Sequence, residues 1–278
     1  MIGLLQAAAL GIIQGLTEFL PVSSSGHLIL VRRLFGWQML ADTHLNKVFD
    51  VALHAGTFFA LVVYFRAEIV WLLRGLLITS RQNLRSQPNC RLAWLIAIGT
   101  IPGAVAGVLF EHTIEDLLGT PMLVAAQLIV FAFVLYAADR WSRRTRAINQ
   151  AGWWDGILIG IAQALALAPG VSRSGITITT GLALGMKREA AARFSFLLSI
   201  PIVGGTAAYS LLRLLKDHVT MPPGSTGMFL VGMLAAAVSG YLCIKYFLGY
   251  LQRGSLTPFV IYRICFGAVL IGYFGLGR

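Results

Sequence analysis

The chain has 278 residues, of which 57% are hydrophobic and only 12% are charged, and its mean hydropathy is +0.77. A soluble domain usually carries about 25% charged residues, so this composition argues against a soluble protein and for an integral membrane protein. The formal net charge of +11 would suit a nucleic-acid partner. In membrane proteins, however, basic residues concentrate in cytoplasmic loops, so we expect no nucleic-acid partner.

Eight apolar stretches follow one another along the chain, and six of them are unbroken and long enough to cross a bilayer. A spanning helix needs about 20 apolar residues, and helices of about 17 also occur. The first stretch, residues 2–35, and the fifth, residues 153–184, are each interrupted by a proline and a Gly/Ser-rich run. The other stretches predict spanning helices at 49–65, 92–110, 122–138, 194–212, 228–248 and 258–276.

Lys and Arg residues concentrate in alternate connecting segments. An orientation with 66–91, 139–155, 185–193 and 245–253 inside places fourteen of them in the cytoplasm and leaves six outside. This excess predicts that orientation by the positive-inside rule. If either interrupted stretch crossed the membrane fully, every connecting segment after it would change sides, and the basic segments would then lie outside. We therefore predict that both stretches are re-entrant helix–loop–helix hairpins, whose loops need protein or a water-filled cavity around them.

A shift of 149 residues aligns 13 identities across residues 11–57 without a gap, including the pattern Val-Ser-x-Ser-Gly at 22–26 and 171–175. Apolar composition does not readily produce this pattern twice in step, so we predict an internal duplication within one domain, residues 1–278. Its halves, about 1–140 and 150–278, would each hold one hairpin and three spans. Because three is odd, the halves would enter the membrane in opposite directions, as in inverted-repeat transporters. The predicted fold is an all-α integral membrane protein whose hairpin loops meet.

The first hairpin loop contains "PVSSSGH", residues 21–27. Ser23, Ser24, Ser25 and Gly26 precede a short helix, so they predict an anion-binding nest at its N-terminus. His27 follows at once, and a hydroxyl beside a histidine can be an activated nucleophile. A structural, hydrogen-bonded histidine is the alternative interpretation.

The second hairpin loop contains "PGVSRSG", residues 169–175. An arginine is costly inside a membrane and usually marks a functional site, so Arg173 predicts an anion site that its planar guanidinium would bind. Ser172 and Ser174 add hydroxyl donors, and Gly170 and Gly175 would let backbone N–H groups approach the ligand. The alternative is a structural arginine paired with a carboxylate.

Further polar residues flank the first loop. Gln14 and Glu18 are four residues apart and therefore share one helix face. Glu18 could hold a divalent cation, with Gln14 beside it, act as an acid or base, or pair with Arg173, and the sequence leaves these roles open. Asp50 and His54, at the start of the next span, are weaker candidates, and His54 could equally be structural.

The motif "QGLTEFLPVSSSGH" followed by "PGVSRSG" resembles the undecaprenyl-diphosphatase family, also called bacitracin resistance proteins. The resemblance extends over nearly the whole chain and includes "FDVALHAGT" and "TPFVIYR". It implies an inner-membrane enzyme with paired re-entrant hairpins that removes the terminal phosphate of undecaprenyl diphosphate. This reaction recycles the lipid carrier of cell-wall peptidoglycan synthesis. The resemblance also implies a need for a divalent cation, Mg²⁺ or Ca²⁺, and a site open to the periplasm.

The resemblance assigns roles to individual residues. It matches Gln14 and Glu18 to the first motif of the family. Many family members have Glu where this chain has Gln14, an amide that cannot act as a base, so one metal-ligating carboxylate is absent and Glu18 is the remaining one. It implies the serine cluster and His27 as catalytic groups. Within the cluster Ser24 is the expected nucleophile, and whether Ser24, a water molecule or His27 attacks the phosphorus stays open. It implies phosphate binding by Arg173, with Ser172 and Ser174 beside it.

Three rival functions are weighed against this resemblance. Inverted repeats with broken helices are typical of transporters, so a transporter or flippase of a lipid phosphate is the main alternative. The acid-phosphatase-like lipid phosphatases need a histidine where this chain has Thr179. A purely structural membrane protein does not explain Arg173. The expected partners are a polyprenyl diphosphate lipid, the bilayer and, as an open expectation, a second copy in a homodimer.

Overall fold

The structure is a computed structural model that describes residues 3–37, 43–216 and 225–276. These residues form twelve α-helices, which we number in chain order. The helices of the first half are α1 Leu4–Phe19, α2 Ser24–Phe35, α3 Thr43–Tyr64, α4 Arg66–Leu77, α5 Arg81–Ser86, α6 Pro88–Leu118 and α7 Pro121–Trp141. Those of the second half are α8 Trp153–Leu165, α9 Arg173–Ala183, α10 Arg188–Lys216, α11 Thr226–Leu251 and α12 Thr257–Leu276.

Six of the helices are long and apolar enough to span a membrane. Their apolar windows lie at Asn46–Tyr64, Pro88–Phe110, Pro121–Trp141, Arg188–Tyr209, Thr226–Leu251 and Thr257–Gly275. Each corresponds to one of the predicted spans, so the prediction of six spans is confirmed. The protein is an all-α, multi-pass integral membrane protein.

Each interrupted stretch forms two short helices joined by a loop, as predicted. Helices α1 and α2 have 16 and 12 residues, and α8 and α9 have 13 and 11, so each is shorter than the length that spans a bilayer. Helix α1 ends before Pro21, because the residue preceding a proline favours an extended backbone, and Leu20 has ψ 146°. The two loops contact each other, since the Ser174 hydroxyl donates to the Leu20 carbonyl at 2.8 Å.

Two pairs of features, each 149 residues apart, support the predicted duplication. The residues before α2 and α9, Ser23 and Ser172, have nearly the same unusual backbone, with φ of 73° and 72°. Gly11 of α1 packs against the α11 backbone, and its counterpart Gly160 of α8 packs against the backbone of Gly99 in α6. The opposite orientation of the halves in a membrane stays a prediction.

The segment 66–91, predicted as a cytoplasmic connection, contains the two helices α4 and α5. Apolar residues of α4, such as Leu72, pack into the large core cluster. This burial explains why a basic connection becomes helical, because an amphipathic segment gains stability by burying one face.

An ion pair secures the connection between the two halves. Arg146, which follows α7, donates from Nη1 and Nη2 to the two carboxylate oxygens of Asp155 in α8, at 2.9 and 2.5 Å. These hydrogen bonds raise the pKa of the Arg146 guanidinium above its usual value. The pair therefore fixes the start of α8 against the connecting loop.

Candidate active site

Glu18, in the last turn of α1, is the centre of a polar cluster. One carboxylate oxygen, Oε1, accepts a hydrogen bond from Arg173 Nη2 at 2.8 Å. The other oxygen, Oε2, accepts from the Ser24 hydroxyl at 2.7 Å and from Gln14 Nε2 at 3.1 Å. The Glu18 side chain is only 9% exposed. Glu18 therefore joins the arginine of the second loop to the serine of the first.

The cluster lies at the N-termini of two helices. Ser24 is the first residue of α2 and Arg173 is the first residue of α9, and each follows a serine with positive φ. A helix N-terminus presents backbone N–H groups and a positive dipole end to an anion. Both helices therefore add to the attraction that the Arg173 guanidinium exerts on a negative ligand.

Two buried polar atoms in this cluster have no hydrogen-bond partner among the described residues. They are Arg173 Nη1 and Gln14 Oε1. A buried donor or acceptor without a partner costs about 1–3 kcal/mol, so such atoms normally have one. Arg173 can donate through Nη1 to a ligand oxygen while Nη2 stays on Glu18, and Gln14 can offer its amide oxygen to a cation or a donor.

Arg263 of α12 holds the two loops together. It is fully buried, and its guanidinium donates to the carbonyls of Pro21 in the first loop and of Gly170 and Val171 in the second, at 3.0–3.2 Å. A further bond from Nε reaches the Leu128 carbonyl at 3.1 Å. This arginine lies within the span predicted at 258–276, and no role was predicted for it from the sequence. Its position inside an apolar span is the signal that could have shown one.

The whole chain is similar to proteins of one family. The family model described as "Bacitracin resistance protein BacA" matches residues 7–269. The chain belongs to this family. It is 46% identical over 274 residues to the undecaprenyl-diphosphatase of Moorella thermoacetica, covering 99% of each chain. It is 47% identical to undecaprenyl-diphosphatase 2 of Stutzerimonas stutzeri, covering 98% of each chain, and 47% identical to the undecaprenyl-diphosphatase of Geotalea daltonii, covering 99% of each.

In this member of the bacitracin resistance family, the hydrogen bonds of the His27 ring go to groups other than the Ser24 hydroxyl. Its Nδ1 lies 2.7 Å from the Ser23 carbonyl oxygen, and its Nε2 lies 2.6 Å from the Tyr262 hydroxyl. The Ser24 hydroxyl donates to Glu18, and the predicted catalytic role of His27 stays a prediction. Sequence analysis missed Tyr262, which lies 235 residues away in the chain.

The other predicted ligand-binding residues of the loops surround this cluster in two similar pairs. The Ser23 and Ser25 hydroxyls lie 3.2 Å apart, and those of Ser172 and Ser174 lie 3.3 Å apart. The Ser172 hydroxyl also accepts from the Gly175 N–H at 3.2 Å, so it caps α9. These contacts place the four serines at the two helix N-termini.

The glycines predicted to contact a ligand in the two hairpin loops differ in their surroundings. A Cβ atom on Gly175 would lie 2.8 Å from Nη1 of Arg263, so this glycine makes room for the buried arginine. A Cβ on Gly26 would meet nothing closer than 3.7 Å. Gly170 has φ 99°, a backbone conformation that favours glycine, and it lies against the Val124 carbonyl. The close packing at Gly175 is therefore with the Arg263 side chain, and the predicted approach of backbone N–H groups to a ligand stays a prediction.

The two weaker candidates also lie near the cluster. His54 Nε2 is 3.8 Å from Glu18 Oε2, and its Nδ1 is 2.8 Å from the Asp50 carbonyl oxygen. Asp50 accepts a bidentate pair of hydrogen bonds from Arg32 of α2. His54 therefore faces the cluster, whereas the Asp50 carboxylate joins α3 to α2.

Proposed function

We propose that this protein hydrolyses undecaprenyl diphosphate to undecaprenyl phosphate and inorganic phosphate, recycling the lipid carrier of cell-wall synthesis. The relatives that match its full length are named undecaprenyl-diphosphatases. The observation that carries the proposal is the Ser24–Glu18–Arg173 chain of hydrogen bonds at two helix N-termini. These hydrogen bonds join the Ser24 hydroxyl and the Arg173 guanidinium to the same carboxylate, which supports their proposed roles as nucleophile and phosphate-binding group.

Arg173 binds the diphosphate in this proposal. Its Nη1 is free to donate, and a planar guanidinium suits phosphate oxygens. The N–H groups at the start of α2 and α9, with the hydroxyls of Ser23, Ser25 and Ser172, bind further oxygens, whereas the Ser174 hydroxyl donates to the Leu20 carbonyl. The apolar helix surfaces beside the cluster accommodate the hydrocarbon chain, which needs the lipid environment.

Ser24 is the proposed nucleophile, and Glu18 accepts its proton. The hydroxyl already donates to Glu18 Oε2 at 2.7 Å. As that proton moves to Glu18, Ser24 Oγ bonds to the terminal phosphorus and the bond to the bridging oxygen breaks, releasing undecaprenyl phosphate. Water then cleaves the phosphoserine. Direct attack by a water molecule on the terminal phosphorus is the alternative, and the role of His27 is to assist a proton transfer.

A divalent cation, Mg²⁺ or Ca²⁺, is part of this proposal. The described residues hold no group of three or more His, Cys, Asp or Glu that could bind a metal ion. Glu18 and the unpaired Gln14 Oε1 fit a cation that takes its other ligands from phosphate and water, as Mg²⁺ commonly does. Such an ion would offset the negative charge of the diphosphate.

The proposal includes a location and partners. We place the protein in the bacterial inner membrane with the site open to the periplasm, in line with the family resemblance and the distribution of basic residues. The partners are the polyprenyl diphosphate lipid and the bilayer. A homodimer would also fit the proposal, and its detection needs a measurement of mass in detergent.

Phosphate release by the purified protein in detergent tests this function. We expect release from undecaprenyl diphosphate by the wild type, loss on chelation of divalent cations, and recovery with Mg²⁺ or Ca²⁺. Arg173→Ala should lose at least about 100-fold in kcat/KM, the magnitude typical for a charge that stabilises a transition state. Arg253→Ala, an exposed arginine at the end of α11, is the matched control and should keep wild-type activity.

The opposite result supports the second candidate, a lipid-phosphate transporter or flippase. A folded wild type that releases no phosphate with any cation would contradict the phosphatase proposal. Reconstituted vesicles carrying a labelled lipid phosphate would then show whether the protein moves lipid between leaflets.

A further inference from the structure

Each ring nitrogen of His27 is within hydrogen-bond distance of one polar atom among the described residues. Nδ1 lies 2.7 Å from the Ser23 carbonyl oxygen and Nε2 lies 2.6 Å from the Tyr262 hydroxyl oxygen. The residue is only 6% exposed. His27 is therefore held by two specific hydrogen bonds, one to the carbonyl of Ser23, just before its own helix, and one with Tyr262 of α12.

These two contacts determine where the protons lie. A carbonyl oxygen only accepts hydrogen bonds, so Nδ1 must carry a proton and donate it to Ser23. In the neutral ring Nε2 is then the acceptor, and the Tyr262 hydroxyl donates to it. The hydrogen bond made by one nitrogen sets the state of the other, as in histidines whose tautomer is fixed by a neighbour.

Stacking fixes the plane of the imidazole as well. The Phe266 ring lies 4.2 Å from it, centroid to centroid, with an angle of 10° between the planes. The Tyr262 ring is nearly parallel to the imidazole, with an angle of 7° between the planes and 5.5 Å between the centroids. Tyr262 and Phe266 are four residues apart and therefore lie on the same face of α12. One helix face thus orients the ring through a stack and a hydrogen bond.

The same helix positions the loops. Arg263, the residue after Tyr262, bonds to carbonyls of both hairpin loops. The backbone that carries Tyr262 is therefore fixed relative to the loop that carries His27. The Tyr262 hydroxyl can hold the imidazole while the loop carbonyls keep their hydrogen bonds to Arg263.

We propose that Tyr262 is a positioning residue for His27. The Tyr262 hydroxyl keeps the proton of the imidazole on Nδ1 and orients Nε2, which is then the only ring nitrogen that can take up or return a proton. This proposal deepens the proposed phosphatase function and rests on it, because His27 has a chemical task only if the site transfers protons. A ring whose tautomer and orientation are fixed in advance needs no reorganisation before the proton transfer.

Kinetics of Tyr262→Phe give the first test. The change removes only the hydroxyl and keeps the ring that stacks on the imidazole. We expect kcat to fall about tenfold, the rate equivalent of one lost hydrogen bond, with KM nearly unchanged. In a His27→Gln background the same change should have no further effect, because its target is absent. Tyr273→Phe, on the same helix and partly exposed, is the matched control and should keep wild-type kinetics.

Nitrogen NMR of ¹⁵N-histidine-labelled protein gives a test that needs no activity. The His27 signals are assigned by their loss in His27→Gln. In the wild type we expect a protonated Nδ1 and a hydrogen-bonded Nε2, and in Tyr262→Phe a shifted Nε2 signal. Tyr273→Phe should leave both signals in place.

The outcomes separate the two proposals. Wild-type kcat in Tyr262→Phe, or the same loss with and without His27, would overturn the positioning role. An unchanged Nε2 signal would show that the hydrogen bond is not made. If the wild type released no phosphate but the NMR shift occurred, the contact would stand and the phosphatase function would fail.

Discussion

Arg263 shows how much a single residue can organise. Its guanidinium is fully buried, and it donates four hydrogen bonds to main-chain carbonyls of α7 and the two hairpin loops. The fork of donors on an arginine suits acceptors spread over several directions, whereas the ammonium of a lysine is a compact group. The shape of this side chain, and not only its charge, therefore holds the loops in contact.

Arg263→Lys tests that statement. We expect a loss of about 2–3 kcal/mol in stability, because at least one loop carbonyl would lose its donor inside the protein. Thermal unfolding in detergent measures the loss, and phosphate release should fall with it. Arg253→Lys, at an exposed position after α11, should unfold like the wild type. Equal unfolding temperatures for the two variants would contradict the role of the guanidinium shape.

The serines of the first loop differ in their contacts and should differ in their effects. Ser24 donates to Glu18, whereas the contact found for the Ser25 hydroxyl is with Ser23. Ser24→Ala should lower kcat by at least about 1000-fold if Ser24 Oγ is the nucleophile, and Ser25→Ala by less than about tenfold. Steady-state phosphate release measures both. Near-normal turnover by Ser24→Ala would exclude serine attack and favour water.

At the scale of helices, glycines bring the first hairpin against the second half. Helix α1 packs closely on α11, and a Cβ atom on Gly15 would lie 2.6 Å from the Ala236 carbonyl and 2.6 Å from the Gly240 nitrogen. Small residues allow this approach of helix backbones in membrane proteins. Because Gln14 and Glu18 lie on α1, this packing also fixes the position of the carboxylate.

Gly15→Ala should therefore disturb both stability and activity. We expect a loss of about 1–3 kcal/mol, typical of an extra methyl group in a packed interface, with a lower unfolding temperature in detergent. Gly272→Ala in α12 is the matched control, because a Cβ there would meet nothing within 4 Å. That variant should be as stable as the wild type or more so. A Gly15→Ala protein with wild-type stability would show that α1 can move away from α11 at no cost.

The hairpin helices were predictable from the sequence, but the backbone at their junctions was not. Pro21 and the Gly/Ser-rich run predict the end of α1 and a loop. The positive φ of Ser23 and Ser172 is not predictable in this way, because serine seldom adopts it. Both serines lie where the two loops contact each other and Arg263, and these contacts join residues far apart in the chain.

At the scale of the whole molecule, the six spans followed from the length of the apolar stretches, but contacts between distant residues did not. Glu18 meets Arg173 at a separation of 155 residues, and the sequence could offer their pairing only as one of several roles. The contact of His27 with Tyr262 was not expected at all. The length of each spanning helix can be predicted from hydropathy. The rotation of one helix against another cannot, because side-chain packing determines it.

The predicted orientation of the two halves can be measured with single cysteines in a protein lacking Cys90, Cys243 and Cys265. We expect Lys47→Cys to react with a membrane-impermeant maleimide in intact cells. Gln150→Cys and Arg253→Cys should react only after lysis, because they lie in segments predicted to be cytoplasmic. Both positions are exposed in the structure. Reaction of all three in intact cells would contradict the inverted orientation.

The aligned halves contribute different groups to one site. The shift of 149 residues places Ser24 on Arg173, Glu18 on Leu167 and His27 on Ile176. The first half thus supplies the hydroxyl, the carboxylate and the imidazole, and the second supplies the guanidinium. Neither half contains a complete set, so the site exists only where the two loops meet.

Arg173 and Glu18 form an ion pair in which only Nη2 of the guanidinium is used, and Nη1 has no hydrogen-bond partner among the described residues. An anion can be bound through Nη1 without leaving the Glu18 carboxylate, only 9% exposed, without its positive partner. Because Glu18 is also the proposed cation ligand, we expect anion and cation binding to be coupled, so that each raises the affinity of the site for the other.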